Sequence, residues 1–164
     1  RSSDLLKQIM RGKRAKKREQ YKDSKYGSEI IGRLINKVMQ GGKKNIAETL
    51  VYSAIEEGSQ KMKADVVEFV EKAIDNVRPA LEIRSRRVGG ANYNVPVPVS
   101  PKRQEALAVR WIVEEGRKKS GKSFDKILED SLVDAYKGEG DAIKKKKDVE
   151  RMAEANKAFA HFRW

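Results

Sequence analysis

Residues 116–123, GRKKSGKS, match G-x-x-x-x-G-K-[ST] at every specified position. That spacing is the chemistry of a phosphate cradle. Backbone N–H groups of the glycine-rich turn wrap the phosphates, the lysine (here Lys122) reaches them, and the hydroxyl (Ser123) holds a magnesium ion. A cradle of this kind follows a buried parallel strand and opens a helix. The residues before this one are EALAVRWIVEE, which include Arg110, Glu114 and Glu115. A central buried strand does not tolerate those charges. No alternation of strands and helices builds a parallel sheet around the string. No apolar strand ending in a metal-binding aspartate is visible elsewhere. The simpler reading is a basic Gly/Ser loop between two helices, with nucleotide hydrolysis as the alternative it must beat.

Other reactive groups are few. The chain has no cysteine, which excludes a disulfide scaffold, a thiolate zinc site and a cysteine nucleophile. Its one histidine, His161, sits in FAHFRW with no nucleophile to pair with, and a His-rich metal site is not expected. The carboxylates lie mostly among lysines on helix surfaces, where intrahelical pairing explains them better than acid/base chemistry. The sequence therefore points to no catalytic residue, metal ligand, cofactor or small-molecule substrate.

What remains is positive charge. Lys and Arg number 37 against 24 Asp and Glu, a formal net charge of +13 over 164 residues. Charge of that size repels itself unless a polyanion neutralises it. Nucleic acid is the leading candidate and an anionic membrane surface the second. No apolar run approaches the ~20 residues that span a bilayer, and the first residues lack a secretory apolar stretch. The cations gather in groups: Arg11, Lys13, Arg14, Lys16, Lys17 and Arg18; Lys43 and Lys44; Arg84, Arg86 and Arg87; Lys102 and Arg103; the 117–122 loop; and the run 144–147 with Lys144, Lys145 and Lys146. Most are expected at loops and helix ends. A DNA reader more often lines its bases along one recognition helix. A scattered set suits a folded RNA, whose phosphates approach from several directions. Tyr93 and Trp164 are candidate stacking groups, with ordinary packing as the competing role.

The elements that position these groups follow from periodicity. Residues 10–18, MRGKRAKKR, hold six basic residues in nine and none acidic. Such a block buries too little to offset its ordering entropy, so residues 1–20 are expected to be a basic arm, disordered when alone. No role is assigned to residues 1–9. Ile30, Ile31, Leu34, Ile35 and Val38 then mark one helical face, with Ser28 as N-cap and Gly41-Gly42 as stop. Ile46, Leu50, Val51, Ala54 and Ile55 mark a second helix ending near Gly58. Val66 to Val77 mark a third, with Asp65 before it and Pro79 after. Leu81 and Ile83, then Tyr93, Val95, Val97 and Val99, alternate with other residues around Gly89-Gly90, the pattern of a hairpin at about 80–100. Its apolar residues are expected to dock on helices while the opposite face presents Arg84 and Arg86, with Arg87 at the tip. A fourth helix opens at Ser100-Pro101 and runs to about Glu115. A fifth opens at Ser123, and a last one at Asp148. The expected fold class is mainly α: a single domain over 21–164, with about six helices and one protruding β-hairpin, behind the basic arm.

Several blocks carry a resemblance. LINKVMQGGKKNIAETLVYSA (34–54), RSRRVGGANYNVPVPV (84–99), ALAVRWIV (106–113) and GDAIKKKKDVERMAEANKAFAHFRW (140–164) stand in the order and spacing of the universal small-subunit ribosomal protein number seven family, bacterial or organelle type. The resemblance covers about residues 10–164, and the phosphate-cradle string falls where that family varies. It implies a helical domain with a protruding hairpin and no catalysis. It also implies direct binding to the 3′ major domain of the small-subunit ribosomal RNA, which nucleates folding of the subunit head. Exit-site transfer RNA, the messenger exit path, the platform protein number eleven and other head proteins are the neighbours it implies, in a cytoplasmic ribosome and away from membranes. On this resemblance the arm from Arg11 to Arg18, Lys43 and Lys44, and the hairpin arginines meet RNA. Arg151, Asn156, Lys157 and Arg163 in the last helix lie where it implies further RNA contact; Lys102, Arg103, Arg110, Lys144, Lys145, Lys146 and Trp164 join the candidate RNA-binding set on their charge or stacking character.

Overall fold

Two caps show how local chemistry sets the helices. Ser28 accepts from the Ile31 N–H at 3.4 Å, and Asp65 accepts from the Val67 N–H at 3.0 Å. Each starts a helix where the sequence places one. In the computed structural model, which describes residues 22–162, the elements run α1 (Glu29–Val38), α2 (Lys44–Met62), α3 (Val66–Val77), β1 (Leu81–Val88), β2 (Ala91–Pro98), α4 (Pro101–Lys118), α5 (Phe124–Lys137), α6 (Gly140–Ala155) and a 3-10 helix (Lys157–Phe162). The basic arm at 11–18, together with Arg163 and Trp164, lies outside the described residues. The described residues are mainly α with one antiparallel hairpin, as expected.

Three boundaries differ from the sequence reading. α2 runs through Gly58 to Met62. Gly58 is there for closeness: a Cβ on it would lie 2.8 Å from Cζ of Phe69, so α2 and α3 meet ring against backbone. α4 continues past Glu115 to Lys118. α6 starts at Gly140, well before Asp148, so the lysine run 144–147 lies on a helix. Ala142 and Ile143 supply the buried contacts of its first turns, a short apolar signal overshadowed by the lysines.

The core is one cluster. Ile31, Leu34 and Ile35 of α1, Val51 and Ile55 of α2, and Phe69, Val70 and Ile74 of α3 are fully buried with Ile112 of α4 and Leu128 and Leu132 of α5. Each large side chain contributes roughly 1.5–3 kcal/mol by leaving water. No described helix is long and apolar enough to cross a membrane.

The hairpin turns through Gly89 (φ 57°) and Gly90 (φ 86°), the left-handed backbone of a tight two-residue turn. Its register pairs Glu82 with Val97, Arg84 with Val95 and Arg86 with Tyr93. Cross-strand partners share a face, so Arg84 and Arg86 lie on the same face as the β2 valines. The expected division into a valine face and an arginine face is therefore wrong. A two-residue turn sets odd positions of β2 opposite even positions of β1. The hairpin packs on α6 and the 3-10 helix. Tyr93 rests on Phe159 and Phe162, with centroids 5.2 and 5.0 Å apart.

Candidate nucleic-acid interface

The exposed cations spread over several elements. Lys43 is exposed at the N-cap of α2, and Lys44 in its first turn pairs with Glu48 at 3.6 Å. Arg87 is exposed near the hairpin tip, opposite Asn92. Arg86 is half-buried on the Tyr93 face. Lys102 and Arg103 are exposed in the first turn of α4. Arg110, also exposed, lines a groove of about 320 Å³ between α1 and α4 with Arg33, Asn36 and Lys37. The sequence reading missed Arg33 and Lys37. Their signal was there, because a four-residue spacing puts both on one face of α1. Arg33 pairs with Glu105 at 2.7 Å and Lys37 with Glu114 at 3.0 Å across this groove.

Some candidates are engaged within the fold. Arg84 donates from Nε and Nη2 to Oε1 of Glu82 at 2.8 and 2.6 Å, and Arg103 donates from Nε to Oε2 at 3.3 Å. Burial pushes the Glu82 carboxyl up, but hydrogen bonds from both arginines outweigh it and hold the group below the usual glutamate range. Lys146 donates to the Asn76 carbonyl at 3.0 Å, tying α6 to the end of α3. Asn156 caps α6, its amide donating to the Met152 carbonyl at 2.7 Å. Lys144, Arg151 and Lys157 pair with Asp141, Asp148 and Glu154 three residues before them; Lys145 is exposed. Tyr93 is occupied by its ring contacts with Phe159 and Phe162. The exposed pairs are each worth about 0–1 kcal/mol, so a phosphate can take the place of a carboxylate at little cost.

The phosphate-cradle string has no cradle. Gly116 to Lys118 form the last turn of α4, and Ser123 is the N-cap of α5. Arg117 donates to the carbonyls of Lys37 and Val38 at 3.2 and 3.1 Å, closing the end of α1. Lys122 pairs with Asp130 at 2.8 Å. Among the described residues the single sheet is the hairpin, so a helix leads into the string where a parallel strand is required. His161 sits in the 3-10 helix, its Nδ1 2.9 Å from the Ala158 carbonyl and its ring against Phe162. No group of three or more His, Cys, Asp or Glu among the described residues is placed to hold a metal ion.

Comparison with known proteins bears on the family of the chain. The profile of the family described as ribosomal protein S7p/S5e matches residues 10–157. The chain is 52% identical over 155 residues to the small ribosomal subunit protein uS7 of Thermosipho africanus, covering 94% of this chain and 100% of that protein. It is 51% identical over 148 residues to the uS7 of Nitrosococcus oceani, covering 90% and 95%. A helical domain with a cationic hairpin, and a match over most of the chain, place it in one family: the chain belongs to the ribosomal protein S7p/S5e family.

Proposed function

We propose that this chain is an RNA-binding structural component of the small ribosomal subunit that folds the 3′ major domain of the ribosomal RNA and performs no catalysis. The observation that supports it best is the distribution of exposed cations. Lys43, Arg87, Lys102, Arg103 and Arg110 are exposed on a loop, a hairpin and a helix that pack around a common core. A flexible polycation binds any phosphate chain. Cations fixed on several elements bind best where phosphates are already folded to match them. Binding the folded junction better than the unfolded one is how such a protein nucleates assembly of the subunit head. The hairpin tip at Gly89-Gly90 is the part proposed to reach the exit-site transfer RNA and the messenger exit path. The platform protein number eleven and the other head proteins are the proposed protein neighbours, and the cytoplasmic ribosome the proposed location.

The competing reading is a generic polyanion binder, and affinity for two RNAs separates them. Each phosphate neutralised releases counterions, so affinity for any RNA falls as salt rises from about 50 to 200 mM. A specific protein keeps a preference of about a hundredfold or more for the 3′ major domain RNA over a length-matched unrelated RNA across that range. Lys43→Ala with Arg87→Ala reduces that preference and leaves the melting temperature unchanged, since both side chains are exposed. Arg86 is the poorer choice, because it is half-buried. Equal affinities that collapse together with salt establish the generic reading.

A further inference from the structure

A buried anion beside two exposed arginines needs an explanation. Glu82 is only 8% exposed, at the base of the hairpin, in a protein whose proposed ligand is itself anionic. We infer that Glu82 is a positioning residue for RNA recognition: its carboxylate holds Arg84 and Arg103 by one edge each, so that both present a fixed guanidinium to phosphate. This rests on the RNA-binding reading above and adds a residue of the opposite charge to the site.

The geometry supports that division of labour. Each carboxylate oxygen serves one arginine: Oε1 takes Nε and Nη2 of Arg84, and Oε2 takes Nε of Arg103. The two arginines come from different elements, β1 and the first turn of α4, so Glu82 ties the hairpin base to the helix after it. A purely internal ion pair buries both partners. Here the carboxylate is buried while the arginine side chains stay 54% and 45% exposed. The Nη1 side of Arg84 faces away from the carboxylate, and Arg103 is held through Nε alone. A free arginine loses rotamer freedom when it grips phosphate, and one already held loses less. The carboxylate also offsets the repulsion that two adjacent guanidinium groups meet when brought together.

The sign of one substitution decides the matter. Glu82→Gln removes a negative charge and keeps nearly the same shape. If Glu82 were merely one more charge facing a polyanion, the variant would bind every RNA more tightly. As a positioning residue it gives a different result: affinity for unrelated RNA holds or rises, while preference for the 3′ major domain RNA falls about tenfold. In an Arg84→Ala, Arg103→Ala background the same substitution changes nothing further, because no guanidinium remains to be aimed. Arg84→Lys with Arg103→Lys supplies a second test that leaves Glu82 and the net charge in place, and the preference falls there too, since ammonium groups lack the fork. The inference is overturned if Glu82→Gln or the double lysine variant keeps the wild-type preference. It is also overturned if the Glu82→Gln loss persists without the two arginines. A wild-type protein with no preference at all overturns the RNA-specific reading and this inference together.

Discussion

Replacing Gly58 with alanine sets two effects of known size against each other. Alanine in a helix interior is favoured over glycine by about 1 kcal/mol, and Gly58 lies well inside α2. Against that, the new methyl meets Phe69 at 2.8 Å (Cζ) and 2.9 Å (Cε1), and Val133 at 3.6 Å. Carbon atoms prefer about 3.5–4.0 Å. The ring has nowhere to retreat, because Phe69 is fully buried and tilted against Tyr136 at 5.4 Å. Overpacking in a core costs about 1–3 kcal/mol, and the upper part of that range applies where the neighbour cannot swing away. The net is a loss of about 1–2 kcal/mol, or a melting temperature lower by about 2–8 °C for a chain of this size. Circular dichroism melts and urea titration measure it directly. Adding Phe69→Leu to the alanine variant recovers part of the loss, since the smaller side chain frees the space, and the two substitutions are non-additive. A Gly58→Ala protein more stable than the parent refutes the reasoning, for it means that helix propensity alone governs the site.

Two further outcomes follow from the hydrogen-bond geometry. Asp23 is 3% exposed and accepts from the N–H groups of Lys25, Tyr26 and Ser28 at 3.1, 2.7 and 2.7 Å and from the Tyr52 hydroxyl at 3.4 Å. Asp23→Ala strands those donors and lowers stability by about 2–3 kcal/mol, seen as an earlier urea midpoint; an unchanged midpoint contradicts the assignment. Glu82 titrates below the usual glutamate range in the folded protein, through Arg84 and Arg103 acting against burial. A depressed carboxyl adds stability that is complete above the unfolded value and lost as pH falls through the folded one. Melting temperature therefore drops on acidification across that window, and Glu82→Gln shows a shallower drop. Parallel pH curves for the two proteins contradict the pairing.

Legibility in the sequence tracked how local each cause is. Ser28, Asp65 and Pro101 start helices through contacts within a few residues, and the sequence displays them. The apolar periods of α1, α3 and α5 did the same for the core. Gly58 was read as a stop because a glycine that ends a helix and one that admits a neighbouring ring look alike along the chain. Only the approach of Phe69, eleven positions on, tells them apart. The lysines at 144–147 hid the start of α6 because Ala142 and Ile143 carry its buried contacts almost alone. The faces of the hairpin depended on turn length, and a turn one residue longer would have given the opposite pairing. Along β1, Glu82 sits between Leu81 and Ile83, and nothing in that alternation shows that it is buried. It is held there in part by Arg103, on a helix that the local pattern of β1 cannot announce. Lys146 and Tyr93 carried RNA-binding expectations on residue type alone, while their contacts with Asn76 and with Phe159 and Phe162 are set by tertiary packing.

The seat of Tyr93 on Phe159 and Phe162 has a bearing on how the protein is made. Synthesis runs from the N-terminus, so the hairpin emerges before α4, α5 and α6, and its aromatic support emerges after all three. A two-stranded hairpin without a partner surface is marginal in water. The ribbon gains the last of its supports, after α4 and α6, only once residues 157–162 have been translated, and a nascent chain stopped short of them carries the arginines without the aromatic seat of Tyr93. On the RNA-binding reading proposed above, such a fragment would compete poorly with the completed chain for a folded RNA.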